Sequence, residues 1–111
     1  MTERPTGPAA MRPSPRPVAA LLDLLGKRWA LRVVWELRTG GLGFNDLQRR
    51  CDGMSSSVLG QRLRELRVAG IVADDGAQRW ELTRHGDELV GTLSGIEPWA
   101  GRWAKRRSDG Q

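Results

Sequence analysis

The sequence predicts a mainly α-helical domain with one small β-hairpin. Apolar residues recur at helical spacing in several segments, most clearly in the run SSSVLGQRLRELRVAGIV at residues 55–72. After Gly70 the apolar pattern changes to period two, and Asp75-Gly76 separates two short β-like runs. The chain has 111 residues, a length that favours one domain with a single core.

The first two helices are predicted at residues 17–25 and 29–38. Pro17 suits the first turn of a helix, because the N–H that it lacks would have no partner there. Each helix has apolar residues at the i, i+3, i+4, i+7 spacing, which marks one buried face. These residues are Val18, Leu21, Leu22 and Leu25 in the first helix, and Ala30, Val33, Val34 and Leu37 in the second.

Two shorter helices joined by a turn are predicted next. We expect Asn45 to cap the first one, with Gln48 completing a capping box, and the helix to end near Cys51. Ser55 is the expected cap of the second helix, which ends before Gly70. Two short helices joined by a tight turn that contains glycine form a helix-turn-helix.

The remaining pattern predicts a wing and a last helix. The wing spans residues 71–82 and consists of two short strands. Thr83 can cap the last helix, in which Pro98 should cause a kink or a split, because it cannot donate to the carbonyl of Ser94. The apolar residues of this helix are spaced by four and three, as in a helix that packs along another helix: Leu89, Leu93, Ile96, Ala100 and Trp103. The complete pattern is a winged helix-turn-helix at residues 18–107.

Both ends of the chain are predicted to be tails. Residues 1–17 hold five of the six prolines, interspersed with arginines, and residues 108–111 are polar. The formal net charge is +5, and a small basic protein attracts polyanions, most often nucleic acid. A basic protein without such a partner is the alternative that charge alone leaves open.

Several classes of function are not indicated. The single cysteine, Cys51, cannot form an intramolecular disulfide or a cysteine-based zinc site, which fits a reducing cytoplasm. No paired carboxylates, activated nucleophile, phosphate loop or metal cluster is evident, so we expect neither an enzyme nor a cofactor. The apolar run 18–22 is far shorter than the roughly 20 residues of a membrane span.

The helix at residues 55–69 has a face that could read DNA. With Leu59 directed inward, a rotation of about 100° per residue directs Ser57, Gln61 and Arg64 away from the core. Arginine can contact guanine and glutamine can contact adenine, each through two hydrogen bonds. Ser55 and Ser56 can hold a phosphate at the helix N-terminus. The alternative is a polar face in water.

Three further arginines are candidates for phosphate contacts. Arg62 lies at the edge of the buried arc, and either contacts a phosphate or pairs inside the domain with Asp46 or Glu65. Arg49 and Arg50 end the preceding helix and either contact phosphates or remain solvated. These two cations also directly precede Cys51, where they would lower the thiol pKa and allow a redox switch. The alternative for Cys51 is a small residue packed at a helix end.

The stretch from Leu22 to about Trp103 resembles the HxlR-type winged helix-turn-helix transcriptional regulators. The matching segments are LLDLLGKRWALRVVWELRTG, FNDLQRRCDGMSSSVLGQRLRELRVAGIV and WELTRHGDEL. The resemblance implies a MarR-like, cytoplasmic homodimer that binds an operator in double-stranded DNA, with recognition helix 55–69 in the major groove. It also implies that the first and last helices build the dimer, and two-fold symmetry then predicts an inverted-repeat operator.

Three features depart from the family pattern. The wing is short and its tip carries Asp74 and Asp75, so that Arg79 is its only cation. No cysteine precedes the first helix, although some family members sense oxidants there. Pro98 interrupts the dimerisation helix. The resemblance names no small-molecule effector for this chain.

The tryptophans near the end of the chain are candidates for the dimer interface. A chain of 111 residues has little core with which to cover five tryptophans. We expect the interface to consist of Leu21, Leu22, Leu25, Trp99 and Trp103. Intramolecular packing of the tryptophans onto the first helix is the alternative. For the whole domain, the competing functions are a winged helix that binds protein without DNA and non-specific RNA binding through the basic tails.

Overall fold

The computed structural model describes residues 16–110. Its α-helices are α1 (Pro17–Leu25), α2 (Ala30–Glu36), α3 (Phe44–Arg50), α4 (Ser56–Val68), α5 (Arg84–Thr92) and α6 (Ile96–Asp109). Strands β1 (Leu42–Gly43), β2 (Val72–Asp74) and β3 (Arg79–Leu82) form one antiparallel sheet in the order β1-β3-β2. This architecture confirms the predicted winged helix-turn-helix.

The core lies between α2, α3, α4 and the sheet. The leucines that the helical pattern of α4 directs inward, Leu59, Leu63 and Leu66, are all buried. They pack in one cluster with Val33 and Val34 of α2. The placement of α4 therefore depends on its packing against α2.

Strand β1 is an element that the sequence analysis missed. Leu42 pairs with Trp80 and Gly43 pairs with Arg79, so the wing strand β3 lies between two partners. Gly43 is also the N-cap of α3, and the predicted cap at Asn45 is therefore wrong. The strand continues directly into the helix, which places Asn45 inside the first helical turn.

The predicted ends of α4 and the predicted start of α5 are confirmed. The hydroxyl of Ser55 accepts a hydrogen bond from the backbone N–H of Val58 at 3.1 Å, and Gly70 follows α4 with φ of 81°. The hydroxyl of Thr83 accepts from the N–H of Gly86 at 3.1 Å and donates to the carbonyl oxygen of Gly70 at 2.6 Å. Thr83 therefore caps α5 and joins it to the end of α4.

The predicted last helix is divided into α5 and α6. The break lies at residues 93–95, and Pro98 occupies the first turn of α6, where a missing N–H costs little. No residue of α6 is buried. This helix extends to Asp109, into the segment predicted as a C-terminal tail. Residues 1–15 of the predicted N-terminal tail lie outside the described residues.

Candidate nucleic-acid interface

The turn between α3 and α4 is held by the side chain of Gln48. Its Nε2 donates to the carbonyl oxygen of Met54 at 2.7 Å and to the hydroxyl of Ser56 at 3.1 Å. Asp52 and Gly53 both have positive φ, 61° and 70°, which lets the chain reverse within a few residues. These bonds fix the N-terminus of α4 relative to α3.

The N-terminus of α4 is open to solvent. Ser55, Ser56 and Ser57 are all exposed, and the N–H groups of the first helical turn lie beside them. Backbone N–H groups and the helix dipole at such an end favour an anion. The structure thus places Ser55, Ser56 and Ser57, for which DNA contacts were predicted, together at the start of a helix of 13 residues.

Gln61 and Arg64 share the exposed face of α4, as predicted. Nη2 of Arg64 donates to Oε1 of Gln61 at 2.8 Å, and Nε2 of Gln61 donates to Oε2 of Glu65 at 2.9 Å. Both side chains are exposed, whereas Leu63 between them is buried. The structure therefore brings together the two side chains for which base contacts were predicted.

Arg62 is engaged inside the domain. Its Nη1 lies 2.9 Å from Oε1 of Glu65, and its Nε donates to the carbonyl oxygen of Arg28 at 2.7 Å. The Arg62 side chain is only 18% exposed. Of the alternatives that the sequence left open for this residue, the structure shows the pair with Glu65, and Asp46 pairs with Arg49 instead.

Arg49 and Arg50 are both exposed at the end of α3, but their surroundings differ. Arg49 forms an ion pair with Asp46 one turn earlier in the same helix. The Arg50 guanidinium makes no ion pair or hydrogen bond within residues 16–110, and only the carbonyl of Arg50 is used, by Arg32. Of the two cations, Arg50 is therefore the one whose guanidinium is more available for a contact with an anion.

The tip of the wing keeps its negative charge. Oδ1 of Asp75 accepts hydrogen bonds from the backbone N–H groups of Ala77 at 2.8 Å and of Arg79 at 3.3 Å. The bond from Ala77 is the main cause of a lowered pKa of Asp75. Asp74 pairs with Arg67 of α4 at 3.3 Å. Arg79 is exposed, but it stands next to this acidic tip.

Cys51 is buried in the core, with 0% of its surface exposed. Burial raises the pKa of its thiol, and the nearby charge of Arg32 opposes this effect only in part. The predicted lowering of the thiol pKa by Arg49 and Arg50 is therefore wrong. Both of those guanidinium groups lie in solvent, whereas the sulfur faces the apolar cluster.

Arg32 is a structural residue that the sequence analysis missed. Its guanidinium donates from Nε to Glu36 at 2.8 Å and from Nη2 to the carbonyl oxygen of Arg50 at 2.7 Å, and Nη1 lies 3.3 Å from Asp52. These contacts attach the end of α3 to α2. The spacing of Arg32 and Glu36 was a visible signal, but the contacts with residues 50 and 52 depend on the fold.

Helices α1 and α6 carry most of the exposed large apolar side chains. Leu22 of α1 is 62% exposed, and Trp99 and Trp103 of α6 are 53% and 46% exposed. The two indole rings stack with centroids 5.9 Å apart. Leu21 and Leu25 are half-buried. The other residues between 16 and 110 leave about half of the surface of Trp99 and Trp103 exposed.

The described residues supply no other obvious chemistry. Within residues 16–110, no group of three or more His, Cys, Asp and Glu side chains is arranged to hold a metal ion. In the same residues, no helix combines the length and the apolar character that a membrane crossing requires.

Comparison with known proteins relates this geometry to a family. The sequence model of the HxlR-like helix-turn-helix family matches residues 24–108. The chain is 32% identical over 88 residues to YvaP, an HTH-type transcriptional regulator of Bacillus subtilis strain 168, and this match covers 74% of the chain and 82% of YvaP. A regulator of the same type from Methanocaldococcus jannaschii is 24% identical over 92 residues, 79% of this chain and 86% of the relative.

Solved structures that resemble this fold also belong to transcriptional regulators. Quinone-bound YodB from B. subtilis superposes with a TM-score of 0.71 at 27% identity, covering 81% of this chain and 99% of that one. A MarR-family transcriptional regulator from Enterococcus faecalis V583 gives a TM-score of 0.69 at 27% identity, with coverage of 92% and 99%. These relatives are transcription regulators rather than enzymes. The chain belongs to the HxlR-like helix-turn-helix family and is a transcriptional regulator of the helix-turn-helix type.

Proposed function

We propose that this protein is a homodimer that binds operator DNA by placing α4 in the major groove. The observation that carries the proposal is the exposed row of Ser57, Gln61 and Arg64 on a capped helix whose opposite face is buried. The major groove of B-DNA is wide enough to admit an α-helix. In helix-turn-helix proteins the N-terminal part of that helix makes the base contacts.

Phosphate contacts come from the groups around the N-terminus of α4. Ser55 and Ser56 present hydroxyl and backbone N–H groups, and Arg50 presents an available guanidinium. The acidic tip of the wing, with Asp74 and Asp75, would be repelled by phosphates. We therefore assign little of the affinity to the wing or to Arg79, and most of it to α3 and α4.

The dimer is inferred from apolar surface on α1 and α6. Helix α6 has 14 residues and buries none of them, although most helices in proteins are stabilised by burying an apolar face. Trp99, Trp103 and Leu22 supply such a face, and aromatic residues dominate the energetics of many interfaces. A second copy that covers these residues, with Leu21 and Leu25 at the margin, explains why α6 forms.

The symmetry of the operator follows from this dimer. Two recognition helices related by two-fold symmetry require an inverted repeat, whose half-sites are centred about 34–36 Å apart or a multiple of this distance. The relatives named above come from a bacterium and an archaeon, whose cells have no nucleus. By analogy we place this regulator in the cytoplasm, where the single cysteine, Cys51, stays reduced.

A winged helix that binds protein instead of DNA is the alternative. Such a surface is expected to expose several apolar anchors on α4, whereas this face carries Ser57, Gln61 and Arg64, and its exposed large apolar residue is Val68 at the C-terminal end.

Selection of bound duplexes from a random pool tests the proposal. The full chain should enrich an inverted repeat with the half-site spacing given above. Enrichment of a single asymmetric half-site would contradict the dimer, and no enrichment at all would contradict sequence-specific DNA binding.

A further inference from the structure

The carboxylate of Glu65 lies behind the exposed face of α4 and joins it to the turn before α2. Its Oε1 is 2.9 Å from Nη1 of Arg62, and its Oε2 accepts from Nε2 of Gln61 at 2.9 Å. Nζ of Lys27, in that turn, is 3.5 Å from the same Oε2. The Glu65 side chain is 20% exposed and the Lys27 side chain 48% exposed, so the carboxylate lies at the edge of the surface, between the exposed Gln61 and the body of the domain.

We propose that Glu65 is a positioning residue for base recognition, which holds the amide of Gln61 and, through that amide, the guanidinium of Arg64. This inference rests on the proposed function, because it assigns the two held side chains to the DNA. Glu65 itself would contact no base.

The partners of Gln61 determine how its amide is oriented. A carboxylate only accepts hydrogen bonds, so Nε2 of Gln61 faces Glu65, and a guanidinium only donates, so Oε1 faces Arg64. A primary amide has two N–H donors and two acceptor lone pairs. The protein uses one of each, and the remaining donor and lone pair are what a bidentate contact with adenine requires.

This arrangement favours one base over the others. A glutamine that is free in solution can rotate its amide to suit several bases, and it loses rotamer freedom when it binds. Because Glu65 already restrains Gln61, the adenine contact needs less ordering. A base that required the reversed amide would break the bonds with both Glu65 and Arg64, and would bind less tightly.

The Glu65 carboxylate is itself held by two cations, Arg62 and Lys27. Arg62 bridges it to the carbonyl oxygen of Arg28, and Lys27 adds a second positive charge from the same turn. The acceptor for Gln61 is therefore fixed to the body of the domain rather than being carried by a mobile side chain.

The test compares base preference among variants of the full chain. Duplexes from the random-pool selection are changed one base pair at a time, and the position that Gln61→Ala ceases to discriminate is the one that Gln61 reads. Glu65→Met removes the acceptor but keeps a helix-forming side chain of similar length. It should abolish most of a preference that we expect to be about tenfold at that position. Glu65→Gln, which keeps one acceptor oxygen, should retain part of it.

Two controls separate positioning from general damage. Glu88→Met makes the same change of charge at an exposed glutamate of α5 and should leave the preference unchanged. Lys27→Met removes a contact of Glu65 but leaves its bond with Gln61, and should keep the preference while weakening all duplexes alike. Circular dichroism establishes whether each variant is folded. If Glu65→Met does not fold, the base preference of Glu65→Gln decides whether Glu65 positions Gln61.

The double variant Gln61→Ala, Glu65→Met gives the sharpest result. If Glu65 acts through Gln61, adding Glu65→Met to Gln61→Ala causes no further loss of affinity for the selected duplex. Folded Glu65 variants that keep the wild-type preference, or losses that add in the double variant, would overturn the inference. A wild-type chain without any sequence preference would instead overturn the proposed function, and this inference with it.

Discussion

Nε of Arg62 donates a hydrogen bond to the carbonyl oxygen of Arg28, 2.7 Å away. Arg62 belongs to α4, and Arg28 lies in the turn that connects α1 with α2. Helix α1 is one of the two helices that carry most of the exposed large apolar side chains. In the proposed dimer, this bond joins the segment that sets the distance between protomers to the helix that reads the DNA.

The ion pairs of Glu65 should make the stability of the fold depend on acid pH. Burial raises the pKa of Glu65, but the hydrogen bond from Gln61 and the charges of Arg62 and Lys27 outweigh it, so the pKa is lowered overall. Above the unfolded pKa of about 4.3 the ionised carboxylate stabilises the fold, and this contribution is lost as pH falls through the lower pKa of the folded state.

Thermal unfolding of the wild type and of Glu65→Gln measures this contribution. The wild type should be the more stable at pH 7, and the difference between the two proteins should shrink as the pH is lowered from 5 to 3. A difference that stayed constant across this range would show that the charge of Glu65 does not stabilise the fold.

Arg50→Ala should weaken binding to specific and random duplexes by similar factors. The Arg50 guanidinium is exposed, and loss of one phosphate contact reduces the slope of log affinity against log salt by about 1. Titrations at several salt concentrations check this. Arg84→Ala removes the same charge from α5 and should leave the slope near that of the wild type. Equal slopes for wild type and Arg50→Ala would remove Arg50 from the DNA interface.

The thiol of Cys51 should be unreactive in the folded protein. Its burial raises the pKa and prevents access, so the neutral thiol persists at pH 7. An aromatic disulfide reagent that releases a coloured thiolate should react with the Cys51 thiol slowly in the absence of denaturant and rapidly in its presence. Cys51→Ser should cost about 1–3 kcal/mol of stability, since the buried site offers an apolar surrounding to the hydroxyl. Rapid labelling of the native protein would restore the redox hypothesis.

Trp99→Glu should convert the dimer into a folded monomer. Trp99 is 53% exposed in the protomer, so its replacement leaves the core intact while a buried interface would lose an aromatic anchor. Such anchors contribute about 2 kcal/mol or more, which predicts at least a thirtyfold weaker association. Sedimentation equilibrium gives the association constant. Val68→Glu, at an exposed apolar residue of α4, should remain dimeric, and a wild-type monomer at micromolar concentration would refute the interface.

Local signals in the sequence predicted most of the helix ends. Ser55 and Thr83 cap α4 and α5 through their own hydroxyl groups, and Gly70 ends α4 with a positive φ. Each of these features depends on residues within one turn, so the pattern is readable without the fold. The leucine face of α4 was predictable for the same reason.

Contacts between distant segments were not predictable in this way. Strand β1 has two residues and exists because Leu42 and Gly43 pair with β3, far along the chain. The contact of Arg62 with Arg28 spans 34 residues. The burial of Cys51 likewise results from packing of several helices, and the adjacent arginines in the sequence pointed to the opposite chemistry.

The most direct test of base recognition by α4 is to measure the affinities of wild type and Arg64→Ala for one selected duplex and for a shuffled duplex of the same composition. Fluorescence anisotropy at a fixed salt concentration gives all four dissociation constants. Arg64→Ala should lose about 1–3 kcal/mol on the selected duplex and much less on the shuffled one. Equal affinities of the two proteins for both duplexes would contradict the claim that α4 reads the operator through Arg64.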